Sequence, residues 1–340
     1  MQPVVVLLDM SMSSTLLKQS FLPLKPSDEA TYYLKNRFLN QWLKWNLDPV
    51  NKYVLAMNIG FEDYILWNIT PEIINQFDKS GHFFSACVHG FIRVVIILIQ
   101  NGFNDCEMGF ELACRAGHVQ IVKLIISKGV KYFGHGFSNA CANGRLEVVK
   151  LLIGEDYMDG YIMKGFTKAC TYGHTEIVKL MLNDAADHCF YDFELGYFEA
   201  CSLGHVEIVK LMISKFSTSI KKNLARAVYY ICYGARTKID ALVLNKALNF
   251  YEPCFSAGGD TEGHCCFTNV EVMKLIIEQG LTPDELKFAL YDACASGCLE
   301  IVKVLIVAGA PFEKNILLRR FADDDDFVHQ HIVQYFNENY

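Results

Sequence analysis

The apolar positions of the chain alternate between two patterns, separated by a glycine. In the segment after Gly144, residues Val148, Leu151 and Leu152 stand at i, i+3 and i+4, which predicts a helix with one apolar face. Ahead of such a glycine, as in Phe110–Ala116, one large residue is followed by a small Ala-Cys pair, which predicts a first helix whose small side chains admit a close neighbour. The glycine itself can take a positive φ and predicts a turn. Each copy of the pattern therefore predicts a helix–turn–helix unit.

This unit recurs every 27 to 33 residues along most of the chain. Glycine is replaced in two of the predicted turns, by Ala235 and by Thr268. The nine turns lie at Gly60, Gly90, Gly117, Gly144, Gly173, Gly204, Ala235, Thr268 and Gly297. A cysteine precedes nearly every turn by three residues: Cys87, Cys114, Cys141, Cys170, Cys201, Cys232, Cys265 and Cys294. A fixed period of this length is typical of supersecondary units that stack into a solenoid. We interpret the repeated cysteines as small apolar residues between helices.

Both ends of the chain depart from the repeat. Residues 1–50 contain Leu34, Phe38, Leu39, Trp42 and Trp45 at helical spacing, which predicts an amphipathic helix. Such a helix can cover the open side of the first unit, as a solenoid requires, or serve as a separate docking helix. After residue 310 the repeat stops, and residues 311–340 predict a second helical cap.

That second cap contains two predicted helices, Asn315–Phe321 and Phe327–Phe336, on either side of the acidic run Asp323–Asp326. Acidic residues stabilise a helix N-terminus, so the run favours a start for the second helix. Within the repeat array, which we place at 51–310, the pattern is degenerate over about 216–267. Asn249–Gly263 contains Pro253 and a Gly-Gly pair and predicts an inserted loop.

Charge and composition exclude several classes of protein. The 340 residues carry a net charge of −7, so we expect no nucleic-acid partner. No apolar run approaches the roughly 18 residues that a membrane helix needs, and the first residues lack the basic segment of a signal peptide. We therefore expect a soluble, monomeric protein of the cytoplasm that has no membrane partner.

The candidate catalytic and metal-binding residues have simpler interpretations. His118, His174 and His205 each follow a turn glycine, and a residue type repeated once per unit is typical of a structural role. The best candidate metal cluster is Cys254, His264, Cys265 and Cys266, but adjacent cysteines on a helix point in different directions. No nucleotide-binding, hydrolase or zinc-protease motif is present. We predict a protein that is not an enzyme and has no cofactor.

The repeat is similar to a known family. Leu112–Ile125 resembles the LAAxxGHxEIVKLLL segment of the ankyrin repeat, and Ala169–Met181 and Ala200–Met212 resemble it too. Several units open with Gly-Phe or Gly-Tyr in place of the family's T-P-L-H, and units of 27 residues imply a shortened hairpin finger. Short, divergent repeats of this kind resemble those in ankyrin proteins of large DNA viruses and protists. For a viral protein, this resemblance implies a location in the host cytoplasm. The resemblance implies an all-α ankyrin-type solenoid of about nine units with helical caps.

The resemblance also implies a function and a site. Ankyrin arrays bind proteins along their concave face, through residues just before each turn and on the fingers. Carried over to this chain, the partner-binding positions are His89, Arg115, Asn143, Tyr172, Leu203 and Ser296, with Tyr132, Phe133 and Tyr161 on the fingers. We thus expect a non-enzymatic scaffold for an unidentified protein partner. The alternatives are a substrate adaptor of a ubiquitin ligase, and a zinc- or thiol-dependent enzyme that uses the Cys254–Cys266 region.

Overall fold

A computed structural model shows the chain as a series of paired α-helices. It describes Ala56, Glu62, Ile65, Leu66 and residues 71–74, 81–103, 105–153, 159–184, 190–247, 264–321 and 327–340. The predicted cap at 1–50, the turn at Gly60, the loop at 249–263 and the acidic run at 323–326 lie outside the described residues. No strand occurs within the described ranges.

The chain forms two compact units, which are described separately. The N-terminal unit comprises Met1–Ala140 with Glu147–Tyr157, and the C-terminal unit comprises Cys141–Leu146 with Met158–Tyr340. The helices before residue 157 are α1 (Pro71–Ile74), α2 (Gly81–His89), α3 (Ile92–Gln100), α4 (Cys106–Ala116), α5 (Val119–Ile126), α6 (Gly134–Ala142) and α7 (Leu146–Leu152).

The helices after residue 158 continue the alternation of first and second helices, with one exception described below. They are α8 (Asp159–Thr171), α9 (Thr175–Asp184), α10 (Phe190–Leu203), α11 (Val206–Lys221), α12 (Leu224–Ala247), α13 (His264–Glu278), α14 (Pro283–Ser296), α15 (Leu299–Val307), α16 (Lys314–Phe321) and α17 (Phe327–Asn339).

The second helices bury the apolar face that the sequence predicts. In α5, Ile121, Val122 and Ile125 are fully buried, whereas Gln120 and Lys123 are exposed. On the exposed side, Glu–Lys pairs at i and i+3 form salt bridges of 2.6–2.8 Å: Glu147–Lys150, Glu176–Lys179, Glu207–Lys210, Glu271–Lys274 and Glu300–Lys303. Each exposed pair adds roughly 0.2–0.5 kcal/mol, so the buried apolar side chains dominate the stability of these helices.

The turn between the two helices of a pair depends on glycine. Gly117 ends α4 with φ of 92°, a conformation that is unfavourable for residues with a Cβ. Its N–H donates to the carbonyl of Ala113 at 2.9 Å, and the N–H of His118 donates to the same carbonyl at 3.0 Å. These bonds satisfy the end of α4 and direct the chain into α5.

Neighbouring first helices approach closely at a second glycine. In the N-terminal unit, a Cβ on Gly109 of α4 would lie 2.5 Å from Cε1 of Phe83 and 3.2 Å from Sγ of Cys87, both on α2. In the C-terminal unit, a Cβ on Gly196 of α10 would meet Phe166 of α8 in the same way. In these pairs, the glycine of the Gly-aromatic dipeptide in one unit and the cysteine of the preceding unit therefore meet in one contact between consecutive first helices.

The turn histidines join consecutive helix pairs. Nε2 of His118 donates to the carbonyl of Val88 at 2.8 Å, Nε2 of His174 to that of Ala142 at 3.0 Å, and Nε2 of His205 to that of Thr171 at 2.9 Å. Each accepting carbonyl lies two residues before the preceding turn glycine, and each ring packs against that glycine. The histidines thus fix the position of one turn on the next, which is the structural role that the sequence predicts for them.

The region after residue 221 differs from the sequence prediction at Ala235. We predicted a turn there, but Ala235 is buried inside α12, which runs without interruption over Leu224–Ala247. α12 packs on α10 as a first helix, and α13 packs on α11 as a second helix. The stretch to which the sequence assigned two turns, Ala235 and Thr268, therefore forms a single pair, α12 and α13. The physical reason is that alanine favours helix continuation where glycine would end it.

Asn269 confirms this pairing of α12 with α13. It follows Thr268, which packs against Gly204 as the histidines pack against earlier glycines. Its Nδ2 donates to the carbonyl of Ser202 at 2.8 Å and to that of Ile231 at 3.2 Å. Ser202 stands two residues before Gly204, so Asn269 takes the position that histidine occupies in other helix pairs.

Candidate partner-binding surface

The first helices carry an exposed stripe that faces away from the second helices of their own pairs. It contains the positions that the resemblance assigns to a partner, so each was located in the structure. Arg115, Asn143 and Tyr161 are exposed, and Tyr172 is 56% exposed. His89 and Leu203 are half-buried, and Nδ1 of His89 bonds to the carbonyl of Ser85 at 2.8 Å. Most of these positions are therefore accessible to a partner.

Ser296 does not belong to the accessible set. Its side chain is 4% exposed, and its Oγ donates to the carbonyl of Ala293 at 2.8 Å. Sequence position alone could not show this, because Ser296 occupies the same place before the turn as exposed Tyr172. In α14 the exposed stripe instead contains Phe288.

Two of the predicted finger residues, Tyr132 and Phe133, lie in a short connection between α5 and α6, whereas the third, Tyr161, lies within α8 and not on a finger. Tyr132 is 73% exposed. Phe133 is half-buried, and its ring lies 5.6 Å from that of Phe110, centroid to centroid. The connection forms no strand, so the finger that the resemblance implies is reduced here to a turn. Tyr132 is accessible to a partner, whereas Phe133 contributes largely to packing.

The C-terminal unit has an aromatic and basic stripe on α8. Lys164, Lys168 and Tyr172 are exposed at i, i+4 and i+8, and Tyr161 lies on the same side one turn earlier. Nζ of Lys168 lies 6.0 Å from the centre of the Tyr172 ring, at the limit of a cation–π interaction. This stripe presents two cations and two tyrosines.

A second stripe of this kind, on α12, was missed by the sequence reasoning. Arg226, Tyr229, Tyr233 and Arg236 stand at i, i+3, i+7 and i+10 and are all exposed. This spacing was a usable signal, since it places four residues on one side of a helix. The assumption of a turn at Ala235 divided the stripe and concealed it.

The side chains of the α12 stripe are held in place by their neighbours. Arg226 forms a salt bridge of 2.7 Å with Glu194 of α10, and its guanidinium lies 4.5 Å from the centre of the Phe198 ring. The rings of Tyr229 and Tyr233 stack with centroids 6.3 Å apart and planes 16° apart. An ordered side chain loses less conformational entropy when it binds, so the stripe is suited to recognition.

The buried cysteines are poorly suited to nucleophilic chemistry. Burial raises the pKa of Cys141 and Cys294 from 9.0 to about 12, and burial followed by a weaker effect of Cys106 raises that of Cys87 to the same value. The thiolate is the reactive form of cysteine, so these side chains are inert at neutral pH. They act in the structure as small apolar residues.

In the candidate metal cluster, Cys254 lies outside the described residues, and His264, Cys265 and Cys266 lie at the start of α13, where the side chains are not described. Among the described residues, no group of three or more His, Cys, Asp or Glu side chains is arranged to hold a metal ion. None of the helices in the described ranges combines the length and apolar character that a membrane crossing requires.

The repeated helix pairs, their glycine turns and their interlocking first helices define a helical-repeat protein. Residues 137–225 match the family model for ankyrin repeats (3 copies). This match supports an ankyrin-repeat protein. Ankyrin repeats are generally protein–protein interaction modules, and proteins built from them are typically non-enzymatic scaffolds. No curated protein matches the chain.

Proposed function

We propose that the chain is a non-enzymatic interaction scaffold that binds a protein partner through the exposed stripes of its first helices. One observation carries this proposal: the framework residues repeat, whereas the exposed residues of the stripes differ between helix pairs. Tyr172 on α8, Leu203 on α10 and Tyr233 on α12 illustrate the difference. A stripe that changes from pair to pair can match different parts of one partner, and tyrosine is enriched among the residues that dominate binding energy.

The exposed side of the second helices supports the proposal by contrast. Its Glu–Lys pairs recur with little change and lie beside an open depression between α9 and α11. Repeated, mutually neutralising charges offer little to distinguish one partner from another. The first-helix stripes carry the variety, so we place recognition there.

Affinity purification from the native cell tests the proposal. The first bait is the wild-type chain, and the second carries Lys168→Glu, Tyr172→Ala and Leu203→Glu on the first helices. A third bait carries Glu176→Ala, Lys179→Ala and Glu207→Ala on the second helices as a matched control. We expect one or more proteins to be recovered with the first and third baits and lost with the second. Equal recovery with all three baits would place recognition elsewhere.

The adaptor hypothesis is a narrower form of the same function. It requires a docking end at 1–50 or 311–340, in addition to the partner-binding stripes. Deletion of each segment, followed by a test for co-purification of ubiquitin-ligase subunits, distinguishes an adaptor from a simple scaffold. The enzyme hypothesis predicts bound metal, and elemental analysis of the purified chain that finds no zinc removes its zinc-dependent form.

A further inference from the structure

The first helices α8, α10 and α12 are consecutive neighbours within the C-terminal unit, since α10 packs against both α8 and α12. Their exposed stripes therefore lie side by side. We name this surface the basic-aromatic face and define it by Lys164, Lys168, Tyr172, Arg226, Tyr229, Tyr233 and Arg236. Leu195 of α10 is exposed between the two outer stripes.

We propose that the basic-aromatic face binds an acidic segment of a partner protein that also carries aromatic or aliphatic side chains. This inference rests on the proposed function and specifies the chemistry of the partner. It concerns only the C-terminal unit, and it depends on two properties of the face, its charge and its apolar area.

The charge of the face is opposite to that of the chain. The described side chains of 161–172 include two lysines and no carboxylate, and those of 224–237 include two arginines and no carboxylate. The intervening α10 contributes Glu194, which is paired with Arg226, and half-buried Glu199. Among the described side chains of these helices, cations thus outnumber carboxylates by four to two, on a protein whose net charge is −7.

The second helices α9 and α11 carry cations as well, Lys215 and Lys221 among them, but no tyrosine, so the combination of cations with exposed tyrosine rings distinguishes α8 and α12 from them. On the adjacent second helices, each lysine of the pairs Glu176–Lys179 and Glu207–Lys210 is neutralised by its own glutamate. A locally basic face on an acidic protein steers acidic segments to that face and repels them elsewhere. Charge complementarity therefore selects an acidic partner.

The apolar area of the face determines the rest of the partner's chemistry. Tyr172, Tyr229 and Tyr233 are 56, 55 and 54% exposed, so each presents a large part of its ring to solvent. Tyrosine rings and arginine guanidinium groups are the side chains that most often anchor interfaces. The rings need aromatic or aliphatic side chains to cover them, and a purely acidic segment would leave them in water.

The two arginines on α12 set the scale of the segment. Their positions differ by ten residues, which corresponds to about 15 Å along a helix. A guanidinium has five N–H donors, so an arginine that already bonds to Glu194 or to the carbonyl of Ala295 can also bind a carboxylate. An extended segment of about twelve residues is long enough to cross the three helices.

Single-stranded nucleic acid also combines negative charge with flat rings, but the charge of the protein favours a peptide as the ligand. The whole chain carries a net charge of −7, and the cationic excess of the face is small beside the charge of a phosphate backbone. An oligonucleotide is therefore included in the experiment as a competing ligand.

The test is a selection from a random library of displayed peptides of about twelve residues, a length set by the span of the face. The baits are the full chain, the variant Lys164→Glu/Lys168→Glu, and the control Lys179→Glu/Lys210→Glu, which has the same net charge. A fourth bait carries Tyr229→Ala/Tyr233→Ala, and a fifth carries Lys164→Arg/Lys168→Arg. Circular dichroism and thermal unfolding establish that each variant retains the fold.

We expect the peptides selected on the wild-type chain to be richer in Asp and Glu than the library and to contain aromatic or aliphatic residues. The best peptide, measured by fluorescence polarisation, should bind at least about ten-fold more weakly to the glutamate and alanine variants of the face. Its affinity for the arginine variant and the second-helix control should change less than about two-fold, and added NaCl should weaken binding.

Several results would overturn the inference. They are a selection that yields no enriched peptide, peptides that are neutral or basic, equal binding to the wild-type and glutamate variants, and tighter binding of an oligouridine than of any peptide. If the selected peptides are neutral but still require Tyr229 and Tyr233 for binding, the inference of an acidic partner is wrong, and the proposed function still stands. Peptides that bind independently of every first-helix substitution would contradict both.

Discussion

Asn269 and Ser202 are joined by a hydrogen bond of 2.8 Å between the side-chain Nδ2 and the backbone carbonyl, although 67 residues separate them. The same Nδ2 donates to the carbonyl of Ile231 on α12, so one buried amide connects three helices. Histidines make the equivalent bond between other helix pairs. The repeat thus continues across the inserted segment through a different residue type that supplies the same N–H donor.

Replacement of Asn269 by alanine should destabilise the C-terminal unit by about 1–3 kcal/mol, because it removes both donors from a buried site. The change is measured as a shift in the midpoint of urea unfolding followed by circular dichroism. Asn101→Ala is the matched control, since Asn101 donates to the carbonyl of Ile97 at an exposed site. The control should change stability by less than about 0.5 kcal/mol. An equal effect of the two substitutions would contradict the role given to Asn269.

Gly196→Ala should also destabilise the chain, although alanine is the better helix former by about 1 kcal/mol. The added Cβ would lie 2.6 Å from Cε1 of Phe166 and 3.1 Å from Sγ of Cys170, so the two first helices must separate. Overpacking of this kind costs about 1–3 kcal/mol. The midpoint of urea unfolding should fall, and it should fall less in a Phe166→Leu background, where the crowded ring atom is absent. A midpoint that rises in both backgrounds would contradict the close contact between Gly196 and Phe166.

Thiol labelling should distinguish the cysteines by their burial. Cys106 is only partly buried, and burial with the charge of Asp105 raises the pKa of its thiol. Cys114 and Cys170 are buried, and burial raises their pKa values much further. With iodoacetamide at about pH 8 and peptide mapping by mass spectrometry, Cys106 should react fastest of these three. Concentrated guanidinium chloride should remove the difference, and a fast reaction of Cys170 in the native chain would contradict its burial.

Alkaline pH should destabilise the chain through its buried thiols. Burial raises the pKa of Cys201 from 9.0 to about 12, and a hydrogen bond from Tyr197 opposes this increase. The folded state therefore holds a proton that the unfolded state releases above about pH 9. The stabilisation is complete below that pH and is lost as the pH rises toward 12, at about 1.4 kcal/mol per pH unit for one thiol.

Urea unfolding at a series of alkaline pH values measures this dependence. Cys201→Ala should make the decline in stability between about pH 9 and 11 less steep, because one linked proton is removed. Cys106→Ala is the control, since its thiol is only partly buried, and it should change the slope less than Cys201→Ala does. An unchanged slope in the Cys201 variant would show that its proton is not linked to folding.

The sequence was sufficient where the same local pattern recurs. The turn at Gly117, the buried face of α5 and the position of Cys114 between helices each follow from residue types within a few positions of one another. The Glu–Lys pairs could be predicted for the same reason. Because the pattern occurs in several copies, the regular copies predict the structure of a copy that departs only slightly from the pattern.

The sequence was insufficient where one copy differs from the rest. Gly234, next to the turn predicted at Ala235, lies within α12, and a Cβ there would collide with the backbone carbonyl of Ser202. Because Gly234 has no side chain, α12 can approach α10 closely. Whether a glycine ends a helix or lies against a neighbour depends on contacts distant in sequence. The α12 stripe was missed for the same reason, and the burial of Ser296 depends on packing as well.

The contact between Gly109 and the Phe83–Cys87 side of the preceding helix also bears on how such a chain could change in length. In the pairs that carry Gly109, Gly136 and Gly196, the glycine lies against an aromatic ring and a cysteine of the preceding pair. Pairs that share this arrangement therefore offer the same complementary surfaces, whatever residues their exposed stripes carry. Unequal crossing-over between equivalent codons would join pairs that already fit, so the gene could gain or lose whole repeats without a new core being selected.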